Sequence, residues 1–224
     1  MKLLTWSLAL MMAVTLPATT AKAELKLRMS FTEKQVRTRG LGRSNDTCRT
    51  VYDINQFGGL LAIETVKSNC KTFEIGAKRG ADGSASALVF EGPSSRQRKS
   101  CSYSAKSRTE ACNDGSKVRL PPGIAVNYKA TVDTRSRYQL SRSGLTATVN
   151  ANRVLTTAEG SKQVTEAGFR MKVALQGNKC QLTELVSSST TKVAEAGRGR
   201  AVKGATQRES RKLVKAESCQ VISR

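Results

Sequence analysis

The chain contains no histidine in 224 residues. That absence removes the imidazole that most often acts as general base, activates a serine or cysteine nucleophile, or ligates a metal. Aromatic residues make up only 4% of the chain, too few for the stacking platform on which single-stranded nucleic acid is usually held. Phe73, Phe90 and Phe169 lie in apolar runs that assign them to a core, so specific recognition of DNA or RNA is not expected. No Cys-x-x-Cys pair occurs, and the closest cysteines, Cys101 and Cys112, are eleven positions apart. That spacing disfavours a thiolate metal site and a thioredoxin-like dithiol. The 17 acidic residues are scattered. They form no Asp-rich calcium loop, and the chain has neither a phosphate-cradling Gly-Lys-Ser/Thr motif nor a dinucleotide fingerprint. No catalytic residue, metal ligand or cofactor is assigned.

Two chemistries survive these absences in weak form. Ser68 with Lys71 and Ser189 with Lys192 have the spacing of a serine–lysine pair. Neither sits in a helical pattern, and the companion motifs of penicillin-binding enzymes are missing. Asp53 and Glu74 occupy matching places in two similar segments, 48–54 and 70–75, which start 22 residues apart. A carboxylate pair can hydrolyse a glycoside without histidine. The plainer account is that these acids balance Arg49 and Lys71.

Long apolar sequence is confined to the start. Leu3 to Leu16 is nearly continuous, behind Lys2 and ahead of Pro17 and small residues ending in Ala21 and Ala23. This pattern is a secretory signal cut after Ala23, and the run is shorter than the roughly 20 residues of a membrane span. The expected location is periplasmic or secreted. Residues 24–224 then form a single disulfide-stabilised, mostly β domain, with a possible subdivision near 121–123, where Pro121 and Pro122 disfavour a sheet interior.

All six cysteines follow the signal: Cys48, Cys70, Cys101, Cys112, Cys180 and Cys219. An even count in an oxidising compartment favours three disulfides. Fifteen pairings are open; neighbour pairing, 48–70, 101–112 and 180–219, closes the shortest loops. Each bridge contributes about 2–4 kcal/mol.

The formal net charge is +21. Beyond residue 23, 36 Lys and Arg face 17 acids, which leaves +19. Such a surface attracts lipopolysaccharide, anionic lipid headgroups, acidic polysaccharide, nucleic acid or an acidic protein. An ordinary basic surface is the bland alternative. The cations concentrate in two stretches. Arg96, Arg98 and Lys99 precede Cys101, with Lys106 and Arg108 beyond it. Arg198, Arg200, Lys203, Arg208, Arg211, Lys212 and Lys215 face only Glu209, so residues 198–215 carry about +6 and read as a tethered basic loop. Those in the second stretch, with Arg96, Arg98 and Lys99, are the expected anion-binding residues. Residues 32–47, with Arg37, Arg39 and Arg43, read as a further basic loop.

Period-two alternation predicts strands. Leu25, Leu27, Met29 and Phe31 share one face. Further strands are expected at 48–54, 60–66, 70–75, 85–90, 124–132, 138–149 (with a bend at Ser143 and Gly144), 169–175, 180–186 and 219–222, with a loop or short helix over 154–168. The expected fold class is mainly β: an antiparallel sandwich or small barrel with disulfides and long basic loops. The expected function is that of an exported cationic binding or structural protein that engages an anionic envelope polymer, glycolipid or protein without catalysis. The alternatives are a small inhibitor presenting the loop between Cys101 and Cys112, or a hydrolase with an inconspicuous carboxylate or Ser/Lys site.

Overall fold

The computed structural model describes residues 25–70, 78–79, 86–120, 126–197 and 203–224. They are almost entirely strand. In chain order the strands are β1 (Leu25–Arg39), β2 (Gly42–Phe57), β3 (Leu60–Ser68), β4 (Lys78–Arg79), β5 (Ser86–Glu91), β6 (Ser94–Ser104) and β7 (Thr109–Cys112). There follow β8 (Lys117–Arg119), β9 (Tyr128–Leu140), β10 (Gly144–Thr157), β11 (Lys162–Gln176), β12 (Lys179–Glu195) and β13 (Thr206–Ser223). All pair antiparallel in one sheet of order β4-β5-β3-β2-β1-β13-β12-β11-β10-β9-β6-β7-β8. The last strand, β13, is thus inserted at the centre, between β1 and β12.

The hydrogen-bonded ladder does not close into a barrel. Its two sides nonetheless face one another, because residues 86–104 serve both: β5 pairs with β3, and β6, after a bend at Gly92 and Pro93, pairs with β9. Gly92 has a φ of 96°, a conformation that glycine adopts without steric cost. Near this bend the Phe90 and Tyr138 rings meet edge to face at 6.1 Å. The Tyr138 hydroxyl donates to the Gly59 carbonyl at 2.6 Å, and its amide donates to the Pro93 carbonyl at 2.9 Å. The facing halves enclose one core: Leu25, Leu27, Met29 and Phe31 from β1 meet Leu145, Ala147, Val149, Phe169, Met171, Val173 and Leu175 from β10 and β11. Complete burial of one such large side chain stabilises the fold by about 1.5–3 kcal/mol.

The three bridges are Cys48–Cys70, Cys101–Cys112 and Cys180–Cys219. They follow the neighbour pairing.

Several expected loops are strands instead. Residues 32–47 form the far halves of β1 and β2, with only Gly40 and Leu41 in the turn. Their inward alternation continues as Glu33, Gln35 and Arg37 where apolar residues stop, so hydrophobicity ceases to report the strand although the backbone pairing goes on. Residues 154–168 contain neither a long loop nor a helix: β10 runs to Thr157, a turn follows, and β11 starts at Lys162. The interruption expected between 132 and 138 is absent, since β9 is continuous from Tyr128 to Leu140; the chain turns at 141–143, beside the expected bend at Ser143 and Gly144. Residues 206–215 are not a tethered loop; they are the first half of β13. The strand expected at 70–75 falls, apart from Cys70, outside the described residues, as do Pro121 and Pro122.

Candidate anion-contact face

Strand parity sorts the cations. Successive side chains point to opposite faces, so on β6 the residues Arg96 and Arg98 share the solvent face while Lys99 turns the other way, towards the Cys101 and Tyr103 side. On β9 the outward residues include Lys129, Asp133, Arg135 and Arg137. The β6–β9 register sets Arg96 directly opposite Arg135, Ser94 opposite Arg137, and Arg98 opposite Asp133. Four exposed arginines therefore stand around one acid. Outward neighbours along a strand are about 6.6–6.8 Å apart, and neighbours across strands about 4.8 Å.

Arg96 and Asp133 form a bidentate pair, Nε to Oδ1 at 3.0 Å and Nη2 to Oδ2 at 2.5 Å. The Arg96 hydrogen bonds, with the charges of Arg96, Arg135 and Arg98 around it, hold the Asp133 carboxyl below the usual carboxylate range. Among the described residues Arg98, Arg135 and Arg137 form no salt bridge, although Arg98 and Arg135 act on Asp133 through their charge. Like charges directly opposite each other on a sheet destabilise it.

The other expected contact residues divide. Lys99 is committed to Asp114 at 2.5 Å; this bond and those from Ser116 draw the Asp114 carboxyl well below its ordinary range. Arg208, Lys212 and Lys215 are exposed on β13, and Lys212 stands opposite Lys34 of β1. Lys203 is exposed in the turn before β13. Arg198 and Arg200 fall outside the described residues. Arg211 is not a surface contact: its side chain is only 12% exposed and its Nη1 lies 3.7 Å from Glu33 Oε1. As part of a presumed loop it could not be told from its neighbours; as part of a strand it has the opposite parity to Lys212.

A buried charged cluster surrounds Arg211, and no sequence motif marked it. Glu33 is 1% exposed. It accepts a hydrogen bond from the Thr50 hydroxyl at 2.8 Å, and its Oε1 lies 3.0 Å from Cys70 Sγ. Gln35 and Arg37 both donate to Glu209 Oε1. Burial raises the Glu33 pKa, against the lowering effects of Thr50 and Arg211. The signal that would have found Glu33, Gln35 and Arg37 is the parity of Leu25 to Phe31 extended three steps further. A second cluster lies beside Cys101–Cys112: Tyr128 donates to Glu110, Arg153 donates to Glu110 at 3.0 Å, and Tyr103 stacks on Tyr128 at 4.8 Å. Burial and the hydrogen bond to Glu110 push the Tyr128 hydroxyl up to about 12.

Each cluster places one glutamate by two cysteines, Glu33 by Cys48 and Cys70, and Glu110 by Cys101 and Cys112. All four sulfurs are in disulfides, which are not the thiolates that ligate zinc. Ser189 and Lys192 of β12, three residues apart on a strand, point to opposite faces. Asp53 is held by Arg28 at 2.8 and 2.7 Å. Lys71 and Glu74 fall outside the described residues. No helix among the described residues is long and apolar enough to cross a membrane.

No family model, no curated protein and no solved structure matches the chain.

Proposed function

We propose that the protein is an exported, non-catalytic binding protein that engages an anionic polymer or glycolipid through the outer face of β6 and β9. The observation that carries this reading is Arg96 facing Arg135, with Arg98 and Arg137 beside them and Asp133 as the single acid. Three disulfides fit an oxidising compartment, in keeping with residues 1–23 as an export signal. Planar guanidinium groups suit bidentate capture of carboxylate, sulfate or phosphate. The inhibitor alternative has less in its favour. The tip between β6 and β7 is a four-residue turn, 105–108, folded back by an Ala105 amide bond to Asn127 and a Leu120 amide bond to the Arg108 carbonyl. It is not an extended segment.

The test uses residues 24–224 in oxidised form, with heparin, anionic vesicles and lipopolysaccharide as probes at low and at about 0.15 M salt. The Arg98→Gln, Arg135→Gln double variant is expected to weaken binding about tenfold or more, because one charge-assisted hydrogen bond contributes about 1.5–3 kcal/mol and 1.4 kcal/mol is tenfold. Unchanged affinity in this variant, or binding that vanishes for every probe at physiological salt, refutes the reading.

A further inference from the structure

Followed across the strands, the outward residues form lateral rows. One row runs Arg137 on β9, Thr148 on β10, Arg170 on β11, Val186 on β12, Lys212 on β13 and Lys34 on β1, each the register partner of the one before. Its cations fall on every second strand from β9 to β13. With strands about 4.8 Å apart, that is a charge about every 9.6 Å over a span of about 19 Å. Arg137, Arg170 and Lys212 are all exposed. Glu184 sits nearest Lys172, at 2.6 Å, and 3.7 Å from Arg170, so it neutralises Lys172 first.

The adjoining row runs Arg96, Arg135, Asn150, Gly168, Ser188 and Ser210. A Cβ on Gly168 would stand 3.6 Å from Ser188 Oγ and 3.7 Å from Asn150 Oδ1, so both polar side chains border a floor made of backbone. This row offers hydroxyl and amide groups beside the cations. Among the described residues, no aromatic ring is exposed, so the face offers nothing on which a nucleobase would stack.

Building on the anion-binding reading, we propose that the ligand is an acidic polysaccharide with one acid on every second sugar, lying across the strands from β9 to β13. Two sugar rings joined end to end have about the length that separates successive cations of the row, and their hydroxyls meet Asn150, Ser188 and Ser210. Recognition combines periodic charge with hydrogen bonding, and no bond is made or broken.

The experiment titrates the oxidised protein with hyaluronan oligosaccharides of increasing length, which carry one carboxylate on every second sugar, at about 0.15 M salt. Dextran serves as the neutral control and poly(dT) as the nucleic-acid control. Affinity is expected to rise with length until the oligosaccharide spans β9 to β13 and then to level off. Arg170→Gln with Lys212→Gln should lower affinity for the long oligosaccharides about tenfold or more while leaving the shortest unaffected. If this variant binds every length like the parent while Arg98→Gln, Arg135→Gln does not, the arginine cluster stands and the crossing path is wrong. If poly(dT) binds as tightly as the oligosaccharides, the ligand class is wrong. If Arg98→Gln, Arg135→Gln also changes nothing, the anion-binding reading fails with it.

Discussion

Removal of the Cys180–Cys219 bridge tests an interrupted seam near the centre of the sheet. The pairing of β12 with β13 is interrupted: Lys179 faces Gln220 and Val186 faces Lys212, with no register partners between. Along that gap β13 is held on its other side by β1, through Phe31 with Ala216 and Met29 with Cys219. The disulfide replaces the missing ladder at one end of the gap. It joins residues 39 apart in sequence, so the loss of loop-closure entropy in the unfolded chain corresponds to about 3.9 kcal/mol. The Cys101–Cys112 bridge, with a separation of 11, corresponds to about 2.8 kcal/mol by the same relation. Its two cysteines already sit opposite each other in an intact ladder. The double variant Cys180→Ala, Cys219→Ala should therefore lose about 1 kcal/mol more than Cys101→Ala, Cys112→Ala in urea unfolding under non-reducing conditions. Native-state hydrogen exchange should also accelerate selectively at residues 213–219, since local opening follows local loss of support. Equal losses for the two bridges, or unchanged protection at 213–219, would refute the argument that the disulfide carries this seam.

Acid titration separates two kinds of carboxyl. The pKa of Asp53 is lowered, chiefly by its hydrogen bonds with Arg28, so its stabilisation is present above the unfolded value of about 3.9 and is lost as pH falls through the folded value. Asp53→Asn should remove that part of the acid-side decline in the urea midpoint. Burial raises the Glu33 pKa, which reverses the sign: its favourable contribution is complete below the unfolded value of about 4.3 and is lost as pH rises through the folded one. The stability of Glu33→Gln relative to the parent should thus increase from pH 4 upward, and a flat difference would refute the assignment. Gly197 offers a geometric test. A Cβ there would lie 2.3 Å from the Glu159 carbonyl oxygen and 2.4 Å from the Ser161 nitrogen, so Gly197→Ala should cost about 1–3 kcal/mol. Gly168→Ala, which meets only ordinary contacts, should change stability by no more than about 0.5 kcal/mol.

How much of this was readable in advance depended on one variable, the polarity of the inward face. Where inward positions are apolar, as at Leu25 to Phe31 or Phe169 to Leu175, alternation found the strand and its face together. The same strands run on past the core. There β1 turns Glu33, Gln35 and Arg37 inward, β12 turns Ser187, Ser189 and Thr191, and β13 turns Glu209 and Arg211. A polar inward face next to a polar outward face has no hydrophobic period, and such sequence reads as loop. The disulfides were accessible because hairpin neighbours come together. The insertion of β13 beside β1 was not, since it joins strands far apart in sequence and leaves no local pattern.

The same distinction governs the charge. Density alone marked residues 198–215 as the place for a partner, but density does not separate cations that face solvent from those that satisfy buried acids. Arg211 and Lys212 are adjacent in sequence; one lies 3.7 Å from a glutamate that is 1% exposed, while the other faces solvent opposite Lys34. On β6 the same parity separates Arg98, which faces solvent, from Lys99, which is bound to the exposed Asp114. A strand delivers every second cation to one surface, and pairing with a neighbour decides whether those cations meet an acid or another cation. Lys34 and Lys212 meet each other, while Arg135 faces Arg96, which is itself bound to Asp133. These two like-charged pairs lie near opposite ends of the outer face, and an acidic chain crossing from β9 to β13 would meet Arg135 at one end and Lys212 at the other.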